Sequence, residues 1–390
     1  MISKSNVLFV QSKRFCVCHR FVQSSSRPFD VETLRNQKTL QNYFPQDSYE
    51  QRTIKRLFKG VTNGNRASLA EAITLVESSH ETKKFMSQIL LQMVLRTLDQ
   101  ENSTVKNNEL HPSTTLRIGI TGPPGAGKST FIETFGMYLS DKLSLKVSVL
   151  AVDPSSSRTG GSLLGDKTRM PELSTQPNAY VRPSPSRGEL GGVARNTIEA
   201  LLLCEGAGYD VTIVETVGVG QSEVRVADMT DLFVLIIPPA GGDELQGLKR
   251  GVIESCDMVL VNKSDGDLLP AARRIQTEYV SALKFIPRKH KEWRPRVKRV
   301  SAKQNEGIQE VWKTMLNFHE TMMKSGRFFE LRKQQKHIWM WNHIQSNILS
   351  QFKQTMSINK QLPLVNQLVE NDEITPGMAA DVLIKSFFKS

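Results

Sequence analysis

The sequence predicts an α/β protein, a doubly wound, mostly parallel sheet flanked by N-terminal and C-terminal helical segments. Short apolar runs alternate with helical stretches from Leu116 onward, a glycine-rich turn follows the first run, and both ends of the chain have helical periodicity. Six runs have the apolar character of strands that are covered on both faces. The predicted strands are 117–121, 146–152, 210–215, 231–237, 257–261 and 297–301.

The first 29 residues have the composition of a mitochondrial transit peptide. Residues 1–29 contain five basic residues, no Asp or Glu, and the run Ser24-Ser25-Ser26. The apolar run 7–10 is too short for a secretory signal. We therefore predict a cleavable leader and a location in the mitochondrial matrix, with a disordered cytosolic tail as the alternative.

The formal net charge is +12, of which the leader contributes five basic residues. Residues 30–390 contain 46 basic and 39 acidic residues. Because no nucleic-acid-binding motif accompanies this excess, we interpret it as a dispersed basic surface and predict no nucleic-acid partner. No run of about 18 apolar residues is present, so we predict no membrane span.

Helical segments flank the α/β domain on both sides. Residues 45–110 form the predicted N-terminal helical segment, in which Ser68-x-x-Glu71 is a candidate capping box. The polar stretch 100–115 has the composition of a linker. The α/β domain is predicted at 111–320.

Residues 321–390 form the predicted C-terminal helical segment. An apolar helical stripe in this segment must pack against the main domain or against a second copy in a homodimer, and the pattern leaves both open. The tail 372–390 is short and mixed in character. The stripe consists of Ile338, Trp341, Ile344, Ile348 and Phe352.

The glycine-rich turn fits the phosphate-binding pattern G-x-x-x-x-G-K-[ST]. Its backbone amides would surround phosphate oxygens, Lys128 would reach the β- and γ-phosphates, and the Ser129 hydroxyl would bind Mg²⁺. A strand precedes the loop and a helix at 130–139 follows it, with its N-terminus toward the anion. The predicted phosphate-binding residues are Gly122, Pro123, Pro124, Gly125, Ala126, Gly127, Lys128, Ser129 and Thr130.

The tetrapeptide 262–265 follows an apolar strand and fits the N-K-x-D pattern that binds guanine. The Asp265 carboxylate would accept hydrogen bonds from N1–H and the exocyclic amine of guanine, whereas adenine would leave it facing a lone pair. Asn262 would contact N7 and hold the loop, and the stem of Lys263 would lie over the ring. The pattern therefore favours GTP and GDP over ATP; the alternative for Asn262 and Asp265 is an Asx turn that caps the next helix.

A second segment would complete the base pocket. Ser301, Ala302 and Lys303 end the next predicted strand, where a backbone amide would donate a hydrogen bond to guanine O6.

Carboxylates at strand ends are candidates for Mg²⁺ or for its water shell. Asp153 closes the second predicted strand, Asp166 is a second candidate, and Glu215 stands where GTPases often have the Asp of D-x-x-G. Mg²⁺ takes few protein ligands, so not every carboxylate need touch it. The Gly218 amide would contact the γ-phosphate and respond to its loss. The predicted catalytic residues are Lys128, Asp153, Glu215 and Gly218, and the predicted metal residues are Ser129, Asp153, Asp166 and Glu215.

Two further segments are predicted to be mobile. The loop 240–251 would report the nucleotide state to a partner, and the segment 180–192 contains Arg187, which would neutralise phosphate charge or bind a partner. Cys204 and Cys256 are predicted to be small core residues. No nucleophile set is evident, so we expect slow hydrolysis that a partner accelerates.

Five segments of the chain resemble the MeaB/ArgK branch of P-loop GTPases. The resemblance implies a GTPase chaperone of adenosylcobalamin-dependent methylmalonyl-CoA mutase, which gates cofactor loading from cobalamin adenosyltransferase and protects the mutase. It also implies homodimers formed by the C-terminal helices and a mutase-responsive switch at 240–251. The segments are 122–130, 150–156, 160–170, 215–223 and 239–246.

Two other functions fit a phosphate-binding loop. A small-molecule kinase of the amino-acid-transport type is one, but the base-binding pattern argues against it because most kinases use ATP. A metal-insertion GTPase for a nickel enzyme is the other, and it predicts His-rich or Cys-rich tracts, whereas the seven His residues are scattered.

Overall fold

The computed structural model describes residues 44–78, 80–104, 115–153, 170–185, 190–216, 222–239 and 250–389. The strands are β1 Leu116–Thr121, β2 Val147–Asp153, β3 Ala179–Pro185, β4 Val211–Thr216, β5 Leu232–Ile237, β6 Met258–Val261 and β7 Arg296–Arg299. The helices are α1 Tyr49–Thr62, α2 Arg66–Val76, α3 Glu81–Thr104, α4 Lys128–Met137, α5 Pro171–Thr175, α6 Leu190–Gly206, α7 Ser222–Ala227, α8 Arg250–Ser255, α9 Leu269–Ala282, α10 Ile308–Lys324, α11 Arg327–Gln354, α12 Met356–Glu370 and α13 Pro376–Lys389.

The described strands form one parallel sheet in the order β3-β2-β4-β1-β5-β6-β7. This confirms the predicted doubly wound sheet. Because the strands run in one direction, their carboxyl ends share one edge, and the turn after β1 lies between the segments that follow β4 and β5. The sheet order therefore brings the phosphate-binding loop to the centre of that edge.

Alternate side chains of the central strands enter two cores on opposite faces of the sheet. In β5, Phe233 and Leu235 belong to a core shared with α1–α3 and α6, whereas Val234 and Ile236 belong to a core shared with α4 and α10. All four side chains are fully buried. A parallel sheet covered on both faces explains why its strands are continuously apolar.

The N-terminal segment is helical, but its capping differs from the prediction. Asn65 caps α2, because its side-chain oxygen accepts a hydrogen bond from the Ser68 amide at 2.9 Å. The predicted capping box at Ser68 and Glu71 is therefore wrong: Ser68 already lies within the first turn. Glu71 instead forms an ion pair with Arg56 of α1.

The prediction that residues 180–192 are mobile is partly wrong, because β3 includes residues 180–185. β3 pairs with β2 from Ala179, opposite Val147, to Pro185, opposite Asp153. It lies at the edge of the sheet, where a proline without an N–H leaves no ladder partner unsatisfied. The strand was not predicted from the sequence because two of its seven residues are prolines, which are rare in strands.

The C-terminal helix α11 contacts the main domain through a different face from the predicted stripe. Trp339 is half-buried, and its Nε1 donates a hydrogen bond to the carbonyl oxygen of Asp228 at 3.2 Å. Ile338, Trp341 and Ile348 of the predicted stripe are 40%, 59% and 54% exposed. Packing within the chain therefore does not cover these three residues.

Two helices close the C-terminal arm, which we define as α11–α13. α12 and α13 enclose a small core of Ile358, Val365, Ala379 and Leu383. The tail 372–390, which the sequence indicated to be short and mixed in character, thus contains the helix α13. Among the described residues, no helix combines the length and apolar content needed to cross a membrane.

Several predictions fall outside the described residues. These are the leader 1–29 with its two cysteines, most of the linker, Asp166, Arg187, Gly218 and residues 240–249 of the switch loop. The two other cysteines are buried, as predicted, and burial raises the pKa of the Cys204 and Cys256 thiols to about 12.

Candidate nucleotide-binding site

The turn after β1 has the backbone conformation of a phosphate-binding loop. Gly122 has φ 148° and Gly127 has φ 84°, values that side chains rarely adopt. A Cβ at Gly122 would overlap the carbonyl oxygen of Ile236 in β5, and a Cβ at Gly127 would lie 2.5 Å from Asn262 Nδ2. Close backbone approach therefore requires glycine at both ends of the loop.

Lys128 is folded back over the loop that it terminates. Its Nζ donates hydrogen bonds to the carbonyl oxygens of Gly122 at 2.7 Å and Pro123 at 3.1 Å. The side chain is mostly buried, although Pro124 and Gly125 at the tip of the loop are exposed. An ammonium group held at the mouth of the loop is positioned to meet a phosphate there.

Ser129 and Glu215 lie together, as the metal prediction requires. The Ser129 hydroxyl donates a hydrogen bond to Glu215 Oε1 at 2.9 Å, and Glu215 is only 5% exposed. The two oxygens come from the loop helix and from the end of β4, so the tertiary fold joins residues 86 positions apart. Hydroxyl and carboxylate oxygens are the ligands that Mg²⁺ prefers.

The other predicted metal residues are less fully described. Asp153 is the last residue of β2, at the same edge of the sheet, and the structure describes its backbone but not its side-chain surroundings. In the part of the chain that the structure describes, no three metal-ligating side chains cluster.

Asn262 connects the base-binding segments to the phosphate loop. Its Nδ2 donates to the carbonyl oxygens of Ala126 at 3.0 Å and Gly127 at 3.3 Å, and its Oδ1 accepts from the Ala302 amide at 3.2 Å. Asn262 is 2% exposed. Its side chain is thus used for loop assembly, which favours the predicted loop-holding role over the Asx turn.

Asp265 is held by the second base-binding segment. The Ser301 hydroxyl donates to Asp265 Oδ1 at 2.7 Å and accepts from the Gln304 amide. Asp265 precedes a short 3₁₀ turn, Gly266–Leu268, but makes no side-chain capping bond to it. The Asp265 side chain therefore does not cap this turn.

The two lysines of the base-binding segments remain at the surface. Lys263 has a left-handed φ of 56° and an exposed side chain, and Lys303 is also exposed. Ser301 and Ala302 are buried, and Ala302 bonds Asn262 and Thr134. The prediction that these residues end the strand is wrong, because β7 ends at Arg299.

Sequence analysis missed one contact between the helix after the phosphate loop and the second base-binding segment. Thr134, in the helix after the phosphate loop, donates a hydrogen bond to the carbonyl oxygen of Ala302 at 2.9 Å. The residues are 168 positions apart. No local pattern distinguishes this threonine from one that bonds within its own helix, so the sequence contained no signal for it.

A central phosphate-binding loop, joined by buried hydrogen bonds to an N-K-x-D segment on the same sheet edge, defines the class of P-loop GTPases. Comparisons with known proteins agree. The family model "Methylmalonyl Co-A mutase-associated GTPase MeaB" matches residues 69–357. The chain belongs to this MeaB family of GTPases.

The relatives span most of the chain. It is 56% identical to the methylmalonic aciduria type A homolog, mitochondrial, of Mus musculus, over 87% of this chain and 80% of that protein. It is 46% identical to the protein of the same description from Caenorhabditis elegans, over 93% and 90%. A crystal structure of LAO/AO transport system kinase matches with TM-score 0.65 and 36% identity, covering 87% of this chain and 98% of the other.

Proposed function

We propose that this GTPase gates the loading of adenosylcobalamin into methylmalonyl-CoA mutase and protects the mutase. The family description supports association with that enzyme. The nucleotide-binding part of the proposal is carried by the Asn262 side chain, which bonds both the phosphate loop and the second base-binding segment. The mutase part rests on the family description. Because Asn262 connects the two parts of the site, binding of the base and binding of the phosphates can affect the same loops.

In the proposed cycle, the loop amides bind the phosphates and Lys128 turns from the carbonyls of Gly122 and Pro123 toward them. Asp265, oriented by Ser301, accepts from the guanine ring. Ser129 and Glu215, with Asp153 as a further candidate, would hold Mg²⁺ or its water shell. Bound Mg²⁺ would supply positive charge that offsets the negative charge developing on the phosphates.

Three proposed elements lie wholly or mostly outside the described residues. The Gly218 amide would contact the γ-phosphate, and Asp166 would contact the metal or its waters. The loop 240–251 would change order between the GTP and GDP states and so act on the mutase.

We further propose a mitochondrial matrix location, a homodimer and cobalamin adenosyltransferase as the cofactor donor. Two relatives are described as mitochondrial, and the leader composition supports the same compartment. The exposed apolar residues of the C-terminal arm support the homodimer.

The test is nucleotide turnover with and without purified methylmalonyl-CoA mutase, measured for GTP and for ATP. We expect slow GTP hydrolysis that the mutase accelerates, little ATP hydrolysis, and loss of activity in Lys128→Ala. Adenosylcobalamin transfer from the adenosyltransferase to the mutase should then depend on GTP.

Other outcomes would favour other functions. Equal use of ATP, with phosphate appearing on an amino acid, would favour a small-molecule kinase. Cofactor transfer at the same rate with GTP, with GDP and without nucleotide would reject the gating proposal even if GTP were hydrolysed.

A further inference from the structure

Much of the basic excess beyond the leader lies in one short segment. The segment 284–299, which we call the basic segment, contains eight basic residues and one acidic residue, Glu292. Residues 30–390 as a whole have an excess of seven basic residues, so this segment has the same excess as that entire region. The predicted dispersed basic surface is therefore uneven: this segment has a large local excess, and residues 52–66 have a smaller one, with five basic residues and no acidic residue.

The basic segment is anchored to the domain at its centre. Lys289 Nζ contacts Asp257 Oδ2 at 3.0 Å, and His290 Nε2 lies 3.4 Å from Asp257 Oδ1. Trp293 Nε1 donates to the Asp257 carbonyl oxygen at 2.9 Å. His290 and Trp293 are buried, with ring contacts to Phe318. The fold thus holds the segment in a defined conformation.

Beside these anchors, one aromatic ring and five basic side chains of the segment are exposed. Phe285 is 88% exposed, although its amide donates to the carbonyl oxygen of Ala282 and the next residue, Ile286, packs on the core. The ring therefore projects from a fixed backbone. The exposed basic residues of the segment are Lys284, Arg288, Lys291, Arg294 and Arg296.

Protection of a sheet edge explains only part of this charge. β7 is the edge strand, and basic side chains on an edge discourage pairing with another sheet. Lys284, Arg288 and Lys291 precede β7 by several residues, and an exposed phenylalanine would promote association rather than prevent it. These residues need another explanation.

We propose that the basic segment binds the surface of a membrane that contains anionic phospholipids. Phe285 enters the boundary between headgroups and acyl chains, and exposed lysine and arginine side chains of the segment contact lipid phosphates. One apolar anchor combined with a cluster of basic residues provides the two contributions that reversible membrane attachment requires.

The composition of the segment favours a lipid surface over two other anionic partners. Four of the eight basic residues are lysines, which are depleted in protein–protein interfaces. Trp293 is buried, so Phe285 is the one exposed aromatic residue of this fully described segment. Single-stranded nucleic acids are usually bound by several stacking rings.

The location of the basic segment leaves the nucleotide site accessible. Residues 284–295 of the segment precede the amino end of β7, whereas the phosphate loop and Asp265 lie at the carboxyl ends of the strands. Membrane attachment would thus present the nucleotide edge of the sheet away from the lipid. The proposal depends on neither the mutase nor the GTP cycle.

The experiment is flotation of the full chain with vesicles of phosphatidylcholine and phosphatidylglycerol in equal amounts, and with vesicles of phosphatidylcholine alone. We expect binding to the anionic vesicles that weakens as salt is added. The variant Lys284→Glu/Arg288→Glu/Lys291→Glu should bind at least ~10-fold more weakly. Phe285→Ser should weaken vesicle binding but leave binding to double-stranded DNA unchanged.

A matched control is Lys55→Glu/Lys83→Glu/Lys360→Glu, which changes three exposed lysines elsewhere and the net charge by the same amount. The leader is the same in all variants, so a difference between the two triple variants comes from the substituted residues. Intact GTP hydrolysis in every variant would show that each is folded. Equal vesicle binding by the two triple variants, no loss in Phe285→Ser, or equal binding to neutral vesicles would overturn the proposal.

Discussion

At the residue scale, the contacts of Asn262 join the phosphate loop to the segments proposed to bind the base. Each of its polar side-chain atoms is bonded to a different part of the site. Buried amide groups that lose such partners destabilise the structure by about 1–3 kcal/mol. The neighbouring Asp265 has one oxygen bonded to Ser301, which leaves the carboxylate oriented for a ligand.

Asp265→Asn should lower the preference for GTP over ATP by about tenfold or more. The amide replaces one acceptor oxygen with a donor, so the guanine N1–H or amine loses its partner. Competitive binding of GTP and ATP, measured by calorimetry, checks this expectation. Asp267→Asn, in the adjacent 3₁₀ turn, is the control because that carboxylate is exposed. An unchanged affinity ratio in Asp265→Asn would reject the base-binding role.

Glu215→Gln should raise the Mg²⁺ concentration needed for half-maximal GTP hydrolysis by about 10-fold or more. The neutral amide binds a cation or its water shell less strongly, while Ser129 keeps a hydrogen-bond partner. A Mg²⁺ titration of turnover measures the effect. The exposed Glu172→Gln is the control. If both variants needed the same Mg²⁺ as the unmodified chain, Glu215 would have no metal role.

At the element scale, α11 is attached to the main domain by a buried group of charges. Arg332 contacts Asp231 at 2.7 Å and Glu205 at 3.3 Å, and Arg117 in β1 contacts the same Glu205 at 2.7 Å. Asp231 is completely buried. Burial alone would raise the pKa of Asp231, but Arg332 and Arg117 outweigh burial and hold this pKa below its usual value.

The sign of the resulting pH dependence follows from this shift. A carboxylate with a lowered folded-state pKa stabilises the folded protein fully above its unfolded value of 3.8, and this contribution is lost as the pH falls through the folded value. The attachment of α11 should therefore be strong at neutral pH and weaken only in acid.

Asp231→Asn should lower the free energy of unfolding by about 3–5 kcal/mol at neutral pH, because it leaves a buried arginine pair with one carboxylate. The difference from the unmodified chain should shrink below pH 3.8. Urea unfolding at neutral and acidic pH measures both effects. Asp141→Asn, at an exposed position, is the control. A difference that stays constant with pH would contradict the assigned pKa shift.

At the scale of the whole molecule, the C-terminal arm has an uncovered apolar surface. Met340, Trp341, Ile348 and Leu349 on α11 are each 49–59% exposed. Scattered apolar residues are normal on a protein surface, but several large ones on one helix are typical of an interface. This surface supports the proposed homodimer.

Trp341→Glu/Ile348→Glu should convert the proposed dimer to a monomer, because two buried carboxylates would remain unpaired in the interface. Light scattering during size-exclusion chromatography, over a range of concentrations, measures the mass. The control Tyr49→Glu/Val280→Glu places the same charges at two exposed apolar positions elsewhere. A monomeric unmodified chain, or a variant that stays dimeric, would reject the homodimer.

Local sequence was sufficient for the elements whose signals are local. The run after Leu116, the glycine loop and the following helix form a contiguous pattern, and the predicted strands agree with β1, β2 and β4–β7 within a few residues. Local sequence was insufficient for β3. Pro183 and Pro185 are acceptable only in an edge strand, and the position of β3 in the sheet is known only from the fold. The α2 cap was also misplaced, because Asn65 and Ser68 are both good capping residues.

The sequence by itself determined the strand–loop–helix unit, the base-binding pattern and the family, because each depends on residues close together in the chain. The tertiary structure alone decided which distant groups meet: Ser129 with Glu215, Asn262 with the phosphate loop, and Arg332 with Asp231. These pairs join elements 86 to 136 positions apart, and sheet order rather than local pattern sets their distance. Only the folded chain also shows that Phe285 and several basic residues of its segment are exposed while Trp293 and His290 are buried.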